Sequence, residues 1–172
     1  MNIVLLVNGK IGILFAKKIN ELIDIKKIII ENIDGISNYK DEKLLIYNNQ
    51  NDLLDYIPTE TDIVISYNWN RKIKNNILDK YEVYNFHMSL LPKYRGPIPL
   101  VFSIINNEGV LGITFHKVKD KYDDGDIYMQ KSFKNSDLLT MQQIYFNMFK
   151  LSLKIFNCFI KEYPNIKLYN QN

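Results

Sequence analysis

Short, uninterrupted apolar runs constrain the fold of this chain more than any other feature of its sequence. Residues 2–7 (NIVLLV) and 61–68 (TDIVISYN) are rich in β-branched residues and carry apolar side chains on both alternating faces. Runs of this kind are typical of parallel strands that are covered on both sides. Between them, as at 11–23, the apolar residues change to helical spacing with charged residues on the other face. The alternation predicts an α/β fold, a Rossmann-like open sheet that is mostly parallel, with helices on both faces.

The second half of the chain changes character. Residues 111–118 and 125–133 look strand-like, and the polar Asp/Gly loop between them predicts an antiparallel pair at the sheet edge. A long apolar-striped helix is expected from Asp137 to about Lys161, with Ser136 or Asp137 as its N-cap. The remaining predicted elements are strands at 26–33, 43–48 and 81–87 and helices at 50–57, 71–81 and 99–109.

Composition places the chain among ordinary globular proteins. Its 172 residues, 47% hydrophobic and 24% charged, fit a single domain over residues 1–172 whose core needs no disulfide. The net charge of +3 is spread over interspersed lysines and acids, so no nucleic-acid-binding stripe is expected. The apolar run at the N-terminus is too short to span a membrane and lacks the features of a signal peptide. A cytoplasmic protein without membrane contact is therefore the default expectation.

Metal and thiol chemistry are not expected. The chain has two histidines and one cysteine, too few for a convincing ligand set, and the acidic segment 120–126 lacks the spacing of a calcium loop. Cys158 lies between Phe156 and Phe159 in a helical pattern and is predicted to be a small buried hydrophobe. His116 is expected to be a packed or solvent-facing strand histidine rather than a catalytic one.

The stretch NFHMSLLPKYRG, residues 85–96, is the first candidate for chemistry. In an extended segment Asn85 and His87 point the same way, because side chains alternate with a period of two. An amide donor and an imidazole aimed at one point suit a reaction that passes through an oxyanion. Ser–His–Asp hydrolysis is disfavoured because the chain has no G-x-S-x-G elbow. On these residues alone, a catalytic His87 and an ordinary strand-end histidine remain equally open.

A second candidate is the turn at Asn8-Gly9, directly after the first predicted strand. The helix that follows would offer free backbone N–H groups to an anion, and Lys10 would add positive charge. The segment VNGKIG is neither a GxGxxG fingerprint nor a Walker loop. On its own residues, a plain strand–helix turn is therefore favoured here.

Taken in order, NFHMSLLPKYRG, GITFHKV and DDGDI resemble the folate-dependent formyltransferase family, most strongly over 66–133. The resemblance implies an N-formyltransferase that uses 10-formyltetrahydrofolate as formyl donor and needs no metal. It implies that Asn85, His87 and Asp123 are the catalytic residues. Asn85 and a protonated His87 would donate to the oxyanion, and the carboxylate of Asp123 would raise the pKa of His87.

The same resemblance implies two sets of binding residues. Those expected to meet the folate are Arg71, Lys72, Ile73, Leu90, Lys119, Asp120, Lys121 and Tyr122. Those expected to meet the acceptor substrate are Asn8, Gly9, Lys10, Trp69, Met88, Ser89, Tyr94 and Arg95.

The segments LLPKYRGPIP and SYNWNRKI resemble the amino-sugar branch of the family. The resemblance implies that the acceptor is the primary amine of a nucleotide-linked amino sugar, and such an enzyme could be a homodimer. A C-terminal tRNA-binding domain is not expected, so no nucleic acid is expected as a partner. The alternatives are a glycinamide-ribonucleotide or other small-amine formyltransferase and, from another class, a catalytically inactive folate- or nucleotide-binding protein.

Overall fold

The computed structural model describes residues 1–31, 41–48, 50–136 and 138–171. The chain divides into two compact units, Met1–Tyr84 and Asn85–Asn172. Within the described ranges, no helix is both long enough and apolar enough to cross a membrane.

The first unit is built on four parallel strands. Strands β1 (Ile3–Val7), β2 (Lys27–Ile30), β3 (Leu44–Ile46) and β4 (Ile63–Tyr67) lie in the order β3-β2-β1-β4. Every residue of β1 and β4 is buried, which is the physical origin of the uninterrupted apolar runs. Helix α1 (Gly9–Leu22) follows β1 and buries one apolar face, as its spacing predicts.

Two helices predicted in this unit are shorter in the structure. Helix α2 covers only Asn75–Leu78 instead of 71–81. Its N-cap residue, Lys74, has extended backbone angles, so residues 71–74 do not join the helix. The side chain of Arg71 is held in an ion pair with Glu31. The segment predicted as a helix at 50–57 forms a 3-10 helix, Leu53–Tyr56. The end of the strand predicted at 26–33 falls on residues 32 and 33, which lie outside the described residues.

Strand β5 (Glu82–His87) carries the chain into the second unit, where helix α3 (Pro99–Ile105) follows. Strands β6 (Val110–Lys117) and β7 (Ile127–Lys134) pair antiparallel, with an irregularity between Phe115 and His116. The predicted antiparallel pair is therefore confirmed.

Helix α4 (Met141–Glu162) closes the second unit, and its start differs from the prediction. Its N-cap is Thr140, whose side chain accepts from the Gln143 N–H while the Gln143 side chain accepts from the Thr140 N–H. This reciprocal capping box outweighs the single polar side chain at Ser136, and Asp137 lies outside the described residues. Cys158 is half-buried rather than fully enclosed.

The described residues form seven strands, of which four make a parallel array and two an antiparallel pair, with helices between several of them. This arrangement confirms the predicted fold class, an open α/β sheet that is mostly parallel and includes an antiparallel pair.

Candidate active site

The candidate catalytic residues lie together in the second unit. His87 is the last residue of β5, and Asp123 lies in the loop between β6 and β7. The Nδ1 atom of His87 is 3.4 Å from Oδ1 of Asp123. The Nε2 atom of His87 is 2.8 Å from the carbonyl oxygen of Tyr94, to which it donates. Because a carbonyl can only accept, Nε2 carries a hydrogen, and a neutral His87 presents the lone pair of Nδ1 to the carboxylate.

The loop that carries Asp123 holds its carboxylate in one orientation. Asp123 has a φ of +50°, a left-handed conformation that is uncommon for a residue with a side chain. Its Oδ2 accepts a hydrogen bond of 2.8 Å from the backbone N–H of Gly96. The N–H of Lys117 donates to the carbonyl of Asp126 at 2.9 Å and closes the base of the loop. The second carboxylate oxygen, Oδ1, is thereby aimed at His87.

Burial sets the protonation state of His87. With 5% of its surface exposed, the ring loses hydration, and this lowers its pKa below the ordinary value of 6.5. The charge of Asp123 and the Tyr94 carbonyl act in the opposite direction but do not outweigh burial. The expectation of a raised pKa and a protonated His87 is therefore wrong, because it counted the carboxylate and not the desolvation. At neutral pH the resting imidazole is uncharged.

Asp123 stays ionised although it is partly buried. Burial is the largest single influence and would raise its pKa. The two neighbouring histidines, His116 and His87, and the Gly96 N–H act together against burial, and the net pKa lies below the ordinary value of 3.8. A neutral imidazole beside an anionic carboxylate can accept a proton, and the carboxylate then stabilises the imidazolium cation that forms.

The structure also brings in a residue that the sequence prediction left out. His116 is 1% exposed, and its Nε2 atom lies 3.3 Å from Nδ2 of Asn85 and 3.5 Å from Oδ1 of Asp123. His116 is packed, as predicted, but it is packed against two of the three candidate catalytic residues. The signal available in the sequence was its position near the end of a strand that leads directly into the Asp123 loop.

The turn after β5 is held by buried hydroxyl groups. Ser89 is buried and its Oγ donates to the Lys93 carbonyl at 2.7 Å. The Thr114 hydroxyl donates to the Ser89 carbonyl at 2.6 Å and accepts from the Leu91 N–H at 3.1 Å. Ser89 thus has a clear part in the turn, and Met88 is buried beside it in sequence. A contact of either residue with substrate stays a prediction.

The other predicted residues of the second unit lie around this turn and the Asp123 loop. Tyr94 is half-buried and its hydroxyl donates to Glu108 at 2.8 Å. Arg95 pairs with Asp124 at 2.6 Å and Lys119 with Asp126 at 3.0 Å. Leu90 is half-buried, and the remaining predicted folate residues, Asp120, Lys121 and Tyr122, are exposed.

The predicted binding residues of the first unit form a second group. Asn8 is buried, accepts from the Glu31 N–H at 3.1 Å through Oδ1, and accepts from Asn68 Nδ2 at 2.9 Å through its carbonyl. Arg71 pairs with Glu31 and lies over the ring of Tyr47. Gly9 and the exposed Lys10 lie in the first turn of α1. The ring of Trp69 has its centroid 6.1 Å from that of Tyr47. Lys72 is exposed and Ile73 is buried.

The C-terminal segment ties down the Asp123 loop. Gln171 Nε2 donates to the carbonyls of Asp123 at 2.8 Å and Gly125 at 2.6 Å, and its Oε1 accepts from Arg95 at 2.8 Å. We expect Gln171→Ala to lower kcat several-fold and the free energy of unfolding by about 1 kcal/mol, because the loop backbone at Asp123 and Gly125 loses both hydrogen bonds from Gln171. Steady-state kinetics and thermal unfolding measure both. The exposed neighbour Asn170→Ala is the control, and equal effects of the two variants would contradict this role for Gln171.

Within the described ranges, no three His, Cys, Asp or Glu side chains are grouped in a way that could hold a metal ion.

The fold and the site together are those of an α/β protein with a buried histidine–carboxylate pair at the end of a strand. A family model described as formyl transferase matches residues 26–156, and the chain belongs to this family. Over 113 residues the chain is 33% identical to methionyl-tRNA formyltransferase of Fervidobacterium nodosum, covering 66% of this chain and 36% of that protein. The chain thus spans about a third of the length of this curated relative.

Solved structures share the fold. A 4-N formyltransferase from Francisella tularensis has a TM-score of 0.81 at 20% identity, covering 99% of this chain and 73% of that chain. A phosphoribosylglycinamide formyltransferase from Streptococcus pneumoniae has a TM-score of 0.78 at 15% identity, with 93% and 97% covered. An N-formyltransferase from Helicobacter canadensis, in complex with folinic acid and dTDP-3-aminofucose, has a TM-score of 0.71 at 22% identity, with 99% and 67% covered. At these identities the likeness concerns the fold.

Proposed function

We propose that this chain transfers a formyl group from 10-formyltetrahydrofolate to the primary amine of a nucleotide-linked amino sugar. The observation that carries the proposal is the buried neutral His87 facing the ionised Asp123 across 3.4 Å, with Asn85 joined to the same cluster through His116. Acyl transfer to an amine needs a base that removes the amine proton and a donor that stabilises the oxyanion. The imidazole–carboxylate pair can act as the base, and the amide of Asn85 can act as the donor.

Three side chains divide the work in this proposal. The donor would supply an electrophilic formyl carbon. His87 accepts, at Nδ1, the proton that the attacking amine loses as the new C–N bond forms, and Asp123 stabilises the imidazolium. The Asn85 amide, whose Nδ2 lies 3.3 Å from His116 Nε2, would donate to the oxygen on which negative charge develops. The proton held between His87 and Asp123 then returns to the leaving nitrogen of the donor.

The sugar acceptor is supported by the folds of sugar N-formyltransferases, one of them in complex with dTDP-3-aminofucose. In the first unit, Asn8 is followed by a helix whose cap position makes no side-chain cap hydrogen bond, which suits a phosphate of the nucleotide. Trp69 offers an aromatic face for a sugar. The match to methionyl-tRNA formyltransferase favours a second candidate acceptor, the amine of a methionyl-tRNA.

An assay with a panel of amines tests the proposal. Purified protein is given 10-formyltetrahydrofolate with dTDP- and UDP-linked amino sugars, glycinamide ribonucleotide or methionyl-tRNA, and the N-formyl product is identified by mass. We expect turnover with at least one amino-sugar nucleotide and none with His87→Ala, which controls for contaminating enzymes. Turnover confined to glycinamide ribonucleotide or to tRNA would replace the proposed acceptor. Folate binding in calorimetry without turnover of any amine would favour an inactive binding protein.

The pH dependence of kcat/KM tests the protonation state of His87. Because the neutral ring is the base, activity is expected to fall on the acid side as His87 protonates, with an apparent pKa below the ordinary 6.5. In Asp123→Asn the charge that raises this pKa is removed, so the acid limb of the residual activity should move to still lower pH. Activity that rises as His87 gains its proton and falls on the alkaline side as it loses it would mean that the charged ring is the working form.

A further inference from the structure

The second histidine of the chain has no part in the proposed chemistry, and yet it lies in the middle of the polar cluster. His116 is buried near the end of β6, where the pairing with β7 becomes irregular. Its two ring nitrogens contact different groups. Nδ1 is 3.0 Å from the carbonyl oxygen of Lys117, and Nε2 meets Asn85 Nδ2 at 3.3 Å and Asp123 Oδ1 at 3.5 Å.

These contacts select one tautomer. The Lys117 carbonyl can only accept, so the hydrogen of a neutral ring lies on Nδ1 and the lone pair on Nε2. That lone pair can accept from the amide nitrogen of Asn85 but not from its oxygen. The Lys117 carbonyl of β6 thus fixes the tautomer of His116, and this tautomer favours the Asn85 orientation in which Nδ2, and not Oδ1, faces His116.

We infer that His116 is a positioning residue, which orients the Asn85 amide and, by contact, bounds the position of Asp123 Oδ1. The inference rests on the proposed function for its kinetic readout. One ring nitrogen of His116 bonds to the backbone of its own strand. The other accepts from Asn85 and lies 3.5 Å from Asp123, two of the residues assigned to catalysis.

Two substitutions separate positioning from packing. His116→Gln keeps a side-chain oxygen that can accept from Asn85, and His116→Leu fills the space with no polar atom. The matched control is Ile113→Val, which perturbs the buried core of the same strand without changing the polar cluster. We expect His116→Leu to lower kcat by about 10- to 100-fold with little change in KM, since a misplaced catalytic group costs up to about 10²-fold. His116→Gln is expected to stay within about 3-fold of wild type, and Ile113→Val to be unchanged.

Nuclear magnetic resonance supplies a readout that does not depend on turnover. The chain has two histidines, so His116→Gln leaves His87 as the sole histidine and its ring resonances need no further assignment. The titratable groups that act on His87 are Asp123, which favours its charged form, and His116, which disfavours it. Removing His116 should therefore raise the titration midpoint of His87. A packing role would leave this midpoint where it is.

The outcomes are distinct. Wild-type kcat in His116→Leu together with an unmoved His87 midpoint would overturn the inference. Equal losses in the Leu and Gln variants, with the midpoint unmoved, would reduce His116 to a packing residue and also overturn it. If the wild-type protein turns over no amine, the proposed function fails, and the midpoint in His116→Gln alone decides the inference. Thermal unfolding of each variant verifies that folded protein is compared.

Discussion

Asparagine in place of Asp123 is expected to lower kcat about 10³-fold. The side chain keeps its shape and can still accept the Gly96 N–H, so the loop should fold as before. What is lost is the negative charge 3.4 Å from His87 Nδ1, which stabilises the ring once it has taken a proton. Without that charge only the hydrogen bond to the Tyr94 carbonyl opposes the effect of burial on the pKa of His87, and the ring becomes a weaker base. Steady-state kinetics with the acceptor identified by the panel assay measures the loss.

The neighbouring residue provides the matched control. Asp124 lies on the same loop with the same chemistry, but its Oδ1 pairs with Arg95 at 2.6 Å and it is more exposed than Asp123. A surface ion pair of this kind contributes about 0–1 kcal/mol. Asp124→Asn should therefore leave kcat within about 3-fold of wild type and change stability by less than about 1 kcal/mol. Comparable losses in the two variants would show that the loop needs its negative charge and not the contact between Asp123 and His87.

Alanine in place of Gly125 is also expected to cause a large loss, of both stability and kcat. A Cβ atom built at Gly125 would lie 1.5 Å from the carbonyl oxygen of Lys117, a separation that no rotamer change can relieve because both groups belong to the backbone. The loop must move, and Asp123 moves with it. We expect a loss of stability of about 3 kcal/mol and a fall in kcat of about 10²-fold or more. Denaturant unfolding and kinetics on the same preparation measure both.

Gly109→Ala is the control for the glycine substitution. A Cβ atom at Gly109 meets no heavy atom within 4 Å, so this variant tests the loss of a glycine without a clash. Its stability is expected to remain within about 0.5 kcal/mol of wild type and its kcat to be unchanged. If Gly125→Ala were as stable and active as Gly109→Ala, the loop could shift without loss of stability. The close approach of Gly125 to the Lys117 carbonyl would then not be needed for activity.

The elements that were predicted well are those whose evidence is local. The strands at β1 and β4 were visible as uninterrupted apolar runs, because burial on both faces leaves no room for alternation. Predictions of helix ends were weaker. Helix α2 is four residues long, shorter than its pattern predicts, and Arg71 at its predicted start instead pairs with Glu31, forty positions earlier in the chain.

For the candidate site too, the features with local evidence could be predicted and those that depend on distant contacts could not. That Asn85 and His87 share one side of a strand follows from the period of two. The choice of Asp123 as their partner follows from the resemblance of the ordered motifs to the folate-dependent formyltransferases. The sequence alone therefore determined the strand pattern and the identity of the candidate catalytic residues. Only the tertiary structure decided that His87 is neutral, that His116 contacts both Asn85 and Asp123, and that Gln171 ties the loop. The physical reason is that desolvation and hydrogen bonding depend on which distant segments pack around a group, and no local pattern records them.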